Sequence, residues 1–429
     1  MTAQKNIVII GNGIAGITAA RHVRKRSDHR ITIVSAETDH FFSRTALMYI
    51  YMGHMKYEHT KPYEDYFWAK NRIELKRAYV SKVDVASNSV IFDSGEKLMY
   101  DELILATGSA SNKFGWPGQD LMGVQGLYNF QDLESMELRT RGIERAVVVG
   151  GGLIGIEMVE MLLSRQIPVT FLIREASFWD NVLPEEESEM INRHIRSHHV
   201  DLRLKTNLKE ILSDESGNAR AVLTEDGEEI SCQFVGLTVG VHPNISFLKD
   251  SGIETDKGIL VDAQLRTNFQ NIYALGDCAQ LRNPPLNRRP IEAVWYTGKM
   301  MGETVAATIC GTSTDYNPGI WYNSAKFFDI EYQTYGYVSA QMKEGEDSFY
   351  WEAKDGIRGL RIVFESSSKS VVGFNAFGIR LRHAVCDEWL RNRTSVYEVV
   401  SNLGKANFDP EFFKKFEKEV QAQFQSVVR

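Results

Sequence analysis

The chain has 429 residues, 43% hydrophobic and 24% charged, with a formal net charge of -7. That length exceeds one ordinary core and implies several domains. The composition excludes low-complexity and fibrous classes, and the acidic balance gives no footprint for a nucleic-acid partner. Residues 1–4 run straight into an apolar segment without the charged leader of a signal peptide. The longest apolar run, AVVVGGGLIGI (146–156), is followed by Glu157 and Glu160, short of the roughly 20 residues of a membrane span. The expectation is a cytoplasmic protein without a transmembrane helix. Its four cysteines, Cys232, Cys278, Cys310 and Cys386, form no CxxC or zinc-ligand pair, so no metal site is expected and the thiols read as packing.

NIVII (6–10) is a β-branched apolar run of the kind buried parallel strands carry. It leads into GNGIAG (11–16) and a helical pattern, ITAARHV (17–23). Gly11 suits the tight turn and Gly13 the approach of backbone N–H groups to a pyrophosphate, while Gly16 lets the helix pack on the strand. Ile14 and Ala15 open the helix whose positive end faces the phosphates. After the strand RITIVS (30–35), Glu37 stands where an acid accepts hydrogen bonds from a ribose diol. The construction recurs at RAVVVGGGLIG (145–155), with Gly150, Gly152, Leu153, Ile154 and Gly155, followed by the strand VTFLI (169–173). Here the ribose position holds Ile173 and then Arg174. A guanidinium favours a 2′-phosphate, so NADPH is preferred slightly over NADH, although Glu175 could instead reach a diol. Two such cradles suggest one cofactor that stays and one that comes and goes.

YDELILATGS (100–109) and NIYALGDCA (271–279), together with the first glycine loop, resemble the FAD signatures of the two-dinucleotide-binding-domain flavoproteins, the pyridine nucleotide-disulfide oxidoreductase-like superfamily. The resemblance spans roughly residues 5 to 310 and is nearest to NAD(P)H-dependent ferredoxin and rubredoxin reductases and the flavin domain of nitrite reductase. It implies an α/β fold with two Rossmann-like domains and a C-terminal α+β domain. The implied layout is an FAD domain in two parts (1–115 and 244–318), an inserted NAD(P) domain (116–243) and an interface domain (319–429). It further implies FAD contacts from Val80, from the Ala106, Thr107, Gly108 turn, and from Gly276 and Asp277. RPIEAVW (289–295) resembles the segment along the pyrimidine edge of the flavin, which would set Val294 and Trp295 against the ring. Glu157 matches the acid that holds the nicotinamide, and Gly240 a turn that lets it pass close to backbone.

Relatives with thiol relays carry cysteine just after the FAD acid. Here that region is HFFSRTALMY (40–49), and without a thiol no thiolate chemistry occurs. Arg44 in this stretch matches an Arg that the resemblance sets against the flavin, to pair with its phosphates or to stabilise its reduced, anionic ring. His383 and Glu388 echo an acid–base motif of the disulfide reductases without its proline, and RLRHAVCDEWL (380–390) reads more simply as an amphipathic helix. The segments 351–353, 359–365 and 370–377 suggest antiparallel strands. Phe412, Phe416, Val420, Phe424 and Val427 fall at helical spacing, as a docked helix, a homodimer contact or, less favoured, a membrane-surface helix.

The sequence therefore points to an FAD-dependent NAD(P)H oxidoreductase that passes electrons to an external acceptor, such as a small iron-sulfur protein, without a cysteine relay. A peripheral NAD(P)H:quinone oxidoreductase and an FAD-binding redox sensor are the alternatives.

Overall fold

The computed structural model describes residues 4–408, 411 and 415–427. The chain forms two compact units, one of residues 1–112, 126–141 and 240–318, the other of residues 113–125, 142–239 and 319–429.

In the first unit the strand Asn6–Ile10 is the middle of a five-stranded parallel sheet. Arg30–Ser35 and Ile73–Arg77 extend it on one side, Glu102–Leu105 and Ile272–Ala274 on the other. Ile7, Val8, Ile9, Leu103, Ile104 and Leu105 are buried, as expected for strands covered on both faces. The helix Ile14–Arg26 follows the glycine loop and ends on Arg24, Lys25 and Arg26, cations that suit the negative end of its dipole. It packs on the helix Trp295–Ile309 through Gly302, where an added Cβ would lie 2.6 Å from the carbonyl oxygen of Ala15. That close approach fixes where the second helix starts.

Residues 126–141 lie in the stretch assigned above to the inserted domain, yet they group with the first unit. The reason is local. Asn129 and Asp132 form a capping box that starts the helix Phe130–Arg139, and the Phe130 N–H donates to Glu37 at 2.9 Å. Tyr51 and Thr140 share a buried hydrogen bond at the other end.

The second unit repeats the scheme. Its parallel sheet runs in the order Asp201–Arg203, Val169–Leu172, Ala146–Val149, Phe234–Leu237 and Val124–Gln125. A three-stranded antiparallel sheet includes the expected hairpin of Ala219–Thr224 and Glu229–Ser231. The C-terminal region is a five-stranded antiparallel sheet, Tyr322–Phe327, Ile330–Gly336, Val371–Phe377, Gly359–Glu365 and Glu346–Glu352. The tail helix Glu417–Val427 docks on it. Phe424 meets Phe349 edge-on at 5.2 Å and Phe416 stacks on Trp351 at 5.9 Å, each ring contributing about 1.5–3 kcal/mol by burial. The apolar stripe of the tail is thus used inside the unit, while Val427 is exposed and Phe412 lies outside the described residues. Among the described residues no helix is long and apolar enough to cross a membrane.

Candidate functional site: two glycine cradles

Both sheets place a glycine loop after their central strand, where the strand order reverses and open α/β sheets bind ligands. In the first, Gly11 has φ +112, and a Cβ there would fall 2.0 Å from the Ala106 carbonyl oxygen. In the second, Gly150 has φ +114, and a Cβ would fall 2.5 Å from the Thr238 carbonyl oxygen. Gly16 and Gly155 repeat one another too: a Cβ on each would sit 2.2 Å from the carbonyl oxygen of Gly11 or Gly150. These four glycines are explained by the protein's own packing.

Gly13 and Gly152 are not. Nothing lies within 4 Å of a Cβ built on either, and both have extended backbone as N-caps of the helices Ile14–Arg26 and Leu153–Ser164. Neither helix has a capping side chain or an acid in its first turn. Their leading N–H groups therefore face open space with the positive end of the dipole unanswered, an arrangement that fits a pyrophosphate.

Around the first cradle, Glu37 accepts from Arg44 Nη1 at 2.8 Å and the Phe130 N–H at 2.9 Å on one oxygen, and from Arg44 Nη2 at 2.5 Å on the other. Arg44 also donates to the Tyr128 carbonyl at 2.6 Å and stacks over the Tyr128 ring. The fork of Arg44, expected against the flavin, is here engaged by Glu37. A carboxylate offers about four acceptor positions, so these three bonds leave Glu37 with room to accept one more. Asp277 accepts from the Ser109 and Tyr128 hydroxyls, each at 3.2 Å, and burial raises its pKa. Tyr128, which the sequence reading passed over, also takes the Ser109 N–H at 2.8 Å and sits against Gly108.

Thr107 donates to the Asn244 carbonyl at 2.7 Å. Gly276 has φ +73 and faces Ala15. Val80 is buried at the start of the strand Val80–Asp84. Val294 caps the helix Trp295–Ile309, and Trp295 is 39% exposed rather than part of the core. The preceding loop is tied by a buried pair, Arg288 and Glu292, with two hydrogen bonds of 2.6 Å. Arg288 stands just before RPIEAVW, and only its i,i+4 spacing to Glu292 marks the pair in the sequence. Gly240, φ +91, precedes the strand Val241–Pro243, which pairs with Ser109–Ser111.

Around the second cradle, Leu153 and Ile154 open the helix, and Ile173 is buried beneath Gly151. The side chain of Arg174 is 77% exposed and bonds to Glu175 at 2.6 Å. Glu157 is half-buried in the first helical turns, and burial, reinforced by Glu160 and opposed by Lys326, pushes its pKa to about 7. An acid whose pKa is raised on folding stabilises the fold while protonated, and that contribution fades as pH climbs from its ordinary 4.5 towards 7. Glu157→Gln is therefore expected to unfold at a higher temperature than the parent at about pH 8, with the gap closing near pH 5. Equal melting curves at both pH values would contradict the assignment.

Within the basic run 21–26, Arg24 donates to the carbonyls of Ser27, His29, Asn71 and Arg72, while Lys25 and Arg26 are exposed. His383 begins the helix His383–Arg391, its ring against Tyr322 and Tyr335. All four cysteines are free; Cys232, Cys278 and Cys386 are buried. Burial raises each thiol's pKa, Cys232 to about 12.

Two Rossmann-like units of this kind, with the second cradle built into the sequence of the first, define a two-dinucleotide-binding-domain flavoprotein. Residues 5–302 match the family described as pyridine nucleotide-disulphide oxidoreductase. The chain belongs to that family and is an FAD-dependent NAD(P)H oxidoreductase. It is 30% identical over 337 residues to a ferredoxin–NAD(P)(+) reductase of Sphingomonas sp., covering 77% of this chain and 81% of that one. A nitrite reductase [NAD(P)H] of Bacillus subtilis is 29% identical over 282 residues, 65% of this chain but only 35% of the relative's own length. Among solved structures, a ferredoxin reductase from Rhodopseudomonas palustris superposes with a TM-score of 0.79 at 22% identity, covering 87% of this chain and 91% of the other.

Proposed function

We propose that this chain takes electrons from NADPH or NADH and hands them to a separate small acceptor, of the ferredoxin or rubredoxin kind, without a cysteine relay. The observation that carries this reading is the duplicated open cradle at Gly13 and Gly152 in a chain that has no cysteine within either glycine loop or the stretch 40–49. When bound, FAD accepts a hydride and releases its electrons singly or in pairs.

In this reading Gly11, Gly13, Ile14, Ala15 and Gly16 hold the FAD pyrophosphate. Glu37, kept in place by Arg44, uses its remaining acceptor position on the ribose. The Ala106 to Gly108 turn, Gly276 and Asp277 line the rest, with Val80 as packing behind them. Trp295 opens a helix without a side-chain cap, so its N–H suits an oxygen that gains negative charge, while the Val294 N–H is held by the Glu292 carbonyl. Gly150, Gly152, Leu153, Ile154 and Gly155 cradle the nicotinamide dinucleotide, and Glu157 holds its nicotinamide end. The similarity to a chain named as a ferredoxin reductase supports the acceptor class. A cytoplasmic location and a homodimer through residues 319–429 belong to the same proposal; the dimer would appear as twice the chain mass in light scattering.

Anaerobic stopped-flow mixing of the flavin-loaded protein with each nicotinamide tests the reading. NADPH or NADH should bleach the flavin band, and if neither does, the reading fails. Gly152→Val should retain flavin yet bind nicotinamide at least about 100-fold more weakly, the loss of roughly 3 kcal/mol of charge-assisted backbone hydrogen bonding. Unchanged saturation would remove the second cradle from the account.

Arg174 carries the preference for NADPH. A 2′-phosphate would replace Glu175 on its guanidinium, so Arg174→Ala should lower kcat/KM for NADPH relative to NADH by roughly 10- to 100-fold. An unaltered ratio would leave Arg174 as a surface partner of Glu175.

A further inference from the structure

Away from both cradles, the second unit gathers three donor groups that the electron-transfer function does not use. The helix Glu185–Ser197 carries His194 near its end and His198 at its C-cap, one turn apart and so on one face. Opposite them, Tyr322–Phe327 and Ile330–Gly336 are joined by the two-residue turn of Phe328 and Asp329. Asp329 Oδ1 lies 2.7 Å from His194 Nε2 and 3.6 Å from His198 Nε2. One ligand atom from each of the three residues falls within 4.8 Å of the other two.

The orientation of His198 is set twice. Its Nδ1 is 3.0 Å from the carbonyl oxygen of His194, which can only accept, so that nitrogen is the donor of the pair. The Phe328 ring, held at φ +55, lies flat on the imidazole with centroids 4.2 Å apart and planes 8° apart. Nε2 of His198 is thereby aimed at Asp329 Oδ1, 3.6 Å away, a separation that a cation shared by imidazole and carboxylate can bridge.

We infer that His194, His198 and Asp329 bind a divalent transition metal of the Zn(II) class. Two neutral imidazoles and one carboxylate form a borderline donor set, suited to Zn(II), Co(II) or Ni(II) rather than to Ca(II) or Mg(II). Tetrahedral ligands at about 2.0–2.2 Å from zinc stand about 3.3–3.5 Å apart, and the two observed separations, 2.7 and 3.6 Å, bracket that edge. Water completes the fourth position.

The ion clips the C-terminal end of the helix Glu185–Ser197 to the Phe328–Asp329 hairpin turn. The opposite end of this helix is already tied to the same sheet, where Arg361 bonds to Glu186 and Glu187. Metal binding would thus secure both ends of one helix against the C-terminal sheet.

The test uses tag-free, full-length holoprotein titrated with Co(II), whose visible d–d band reports nitrogen and oxygen ligation, followed by displacement with Zn(II). One Co(II) per chain is expected, and Zn(II) should raise the unfolding temperature. Asp329→Asn, which keeps a hydrogen-bonding group on the exposed turn, and His198→Gln should each weaken Co(II) binding by about 10-fold or more. His199→Gln, on the exposed neighbour, should leave it unchanged. Absence of binding by the parent chain, equal binding by all variants, or equal loss in His199→Gln would overturn the inference.

Discussion

Gly13→Val is expected to give a folded chain that no longer retains flavin. Gly13 has φ -70 and ψ 177, a backbone that any residue adopts, and nothing within 4 Å of an added Cβ, so the fold has no reason to object. An isopropyl group there would occupy the space before the leading N–H groups of the helix Ile14–Arg26, where a pyrophosphate must lie if the cradle works as its shape suggests. The measurement is the flavin-to-protein absorbance ratio after gel filtration, read beside far-ultraviolet circular dichroism. The parent should elute with about one flavin per chain, and the variant with native ellipticity and almost none. Gly11→Val is the contrasting control, since φ +112 and a 2.0 Å approach to the Ala106 carbonyl forbid the side chain outright. It should fail to fold. A Gly13→Val protein that keeps its full complement of flavin would remove the first cradle from the account.

The second large effect is on stability. Arg361, 4% exposed, donates through Nε to Glu187 at 2.8 Å and through Nη2 to Glu186 at 2.7 Å, while Nη1 reaches Ser348 at 2.9 Å. The side chain of Glu187 is 0% exposed, and its second oxygen is held by Asn375 at 2.7 Å. Arg361→Leu would leave that carboxylate in the interior without a counter-charge. A loss of about 3–5 kcal/mol in urea unfolding at neutral pH is expected, the usual consequence of removing one partner of a buried pair. Replacing Arg361 and Glu187 together with leucine should cost less than the single change, because no charge is then stranded. A single-variant loss below about 1 kcal/mol would contradict the reading of the pair as buried and coupled.

Much of this architecture is legible in the sequence, for a local reason. The strand, the glycines at fixed offsets and the following helix are a contiguous pattern, so Gly11, Gly13 and Gly16, and again Gly150, Gly152 and Gly155, stand out without any tertiary knowledge. The apolar runs in 359–365 and 370–377 mark two strands in the same local way, although both are buried almost throughout rather than on alternate residues. The side-chain partnerships were not legible. Glu37 meets the N–H of Phe130 across 93 residues, and Asp277 meets Ser109 across 168. No spacing rule links residues so far apart.

Arg44 shows the consequence, since its position matched a family pattern while its partner could be seen only in three dimensions. His194 and His198 had a readable i,i+4 signal, but their third partner, Asp329, lies 135 residues beyond His194. Arg24 and Arg288 likewise have partners visible only in the fold, backbone carbonyls for the first and Glu292 for the second.

The stretch 40–49 contains no cysteine, Cys278 is buried between the Leu105 and Leu275 carbonyls, and the remaining thiols are raised in pKa by burial. These features support the proposal that electrons leave from the flavin to a partner. The most direct measurement is an anaerobic titration of the oxidised holoprotein with NADPH or NADH, following the flavin band and the number of thiols that react with a disulfide reagent. The account predicts that bleaching is complete at about one nicotinamide per flavin, with the thiol count unchanged. An endpoint near two nicotinamides per flavin, with two additional thiols appearing, would contradict it.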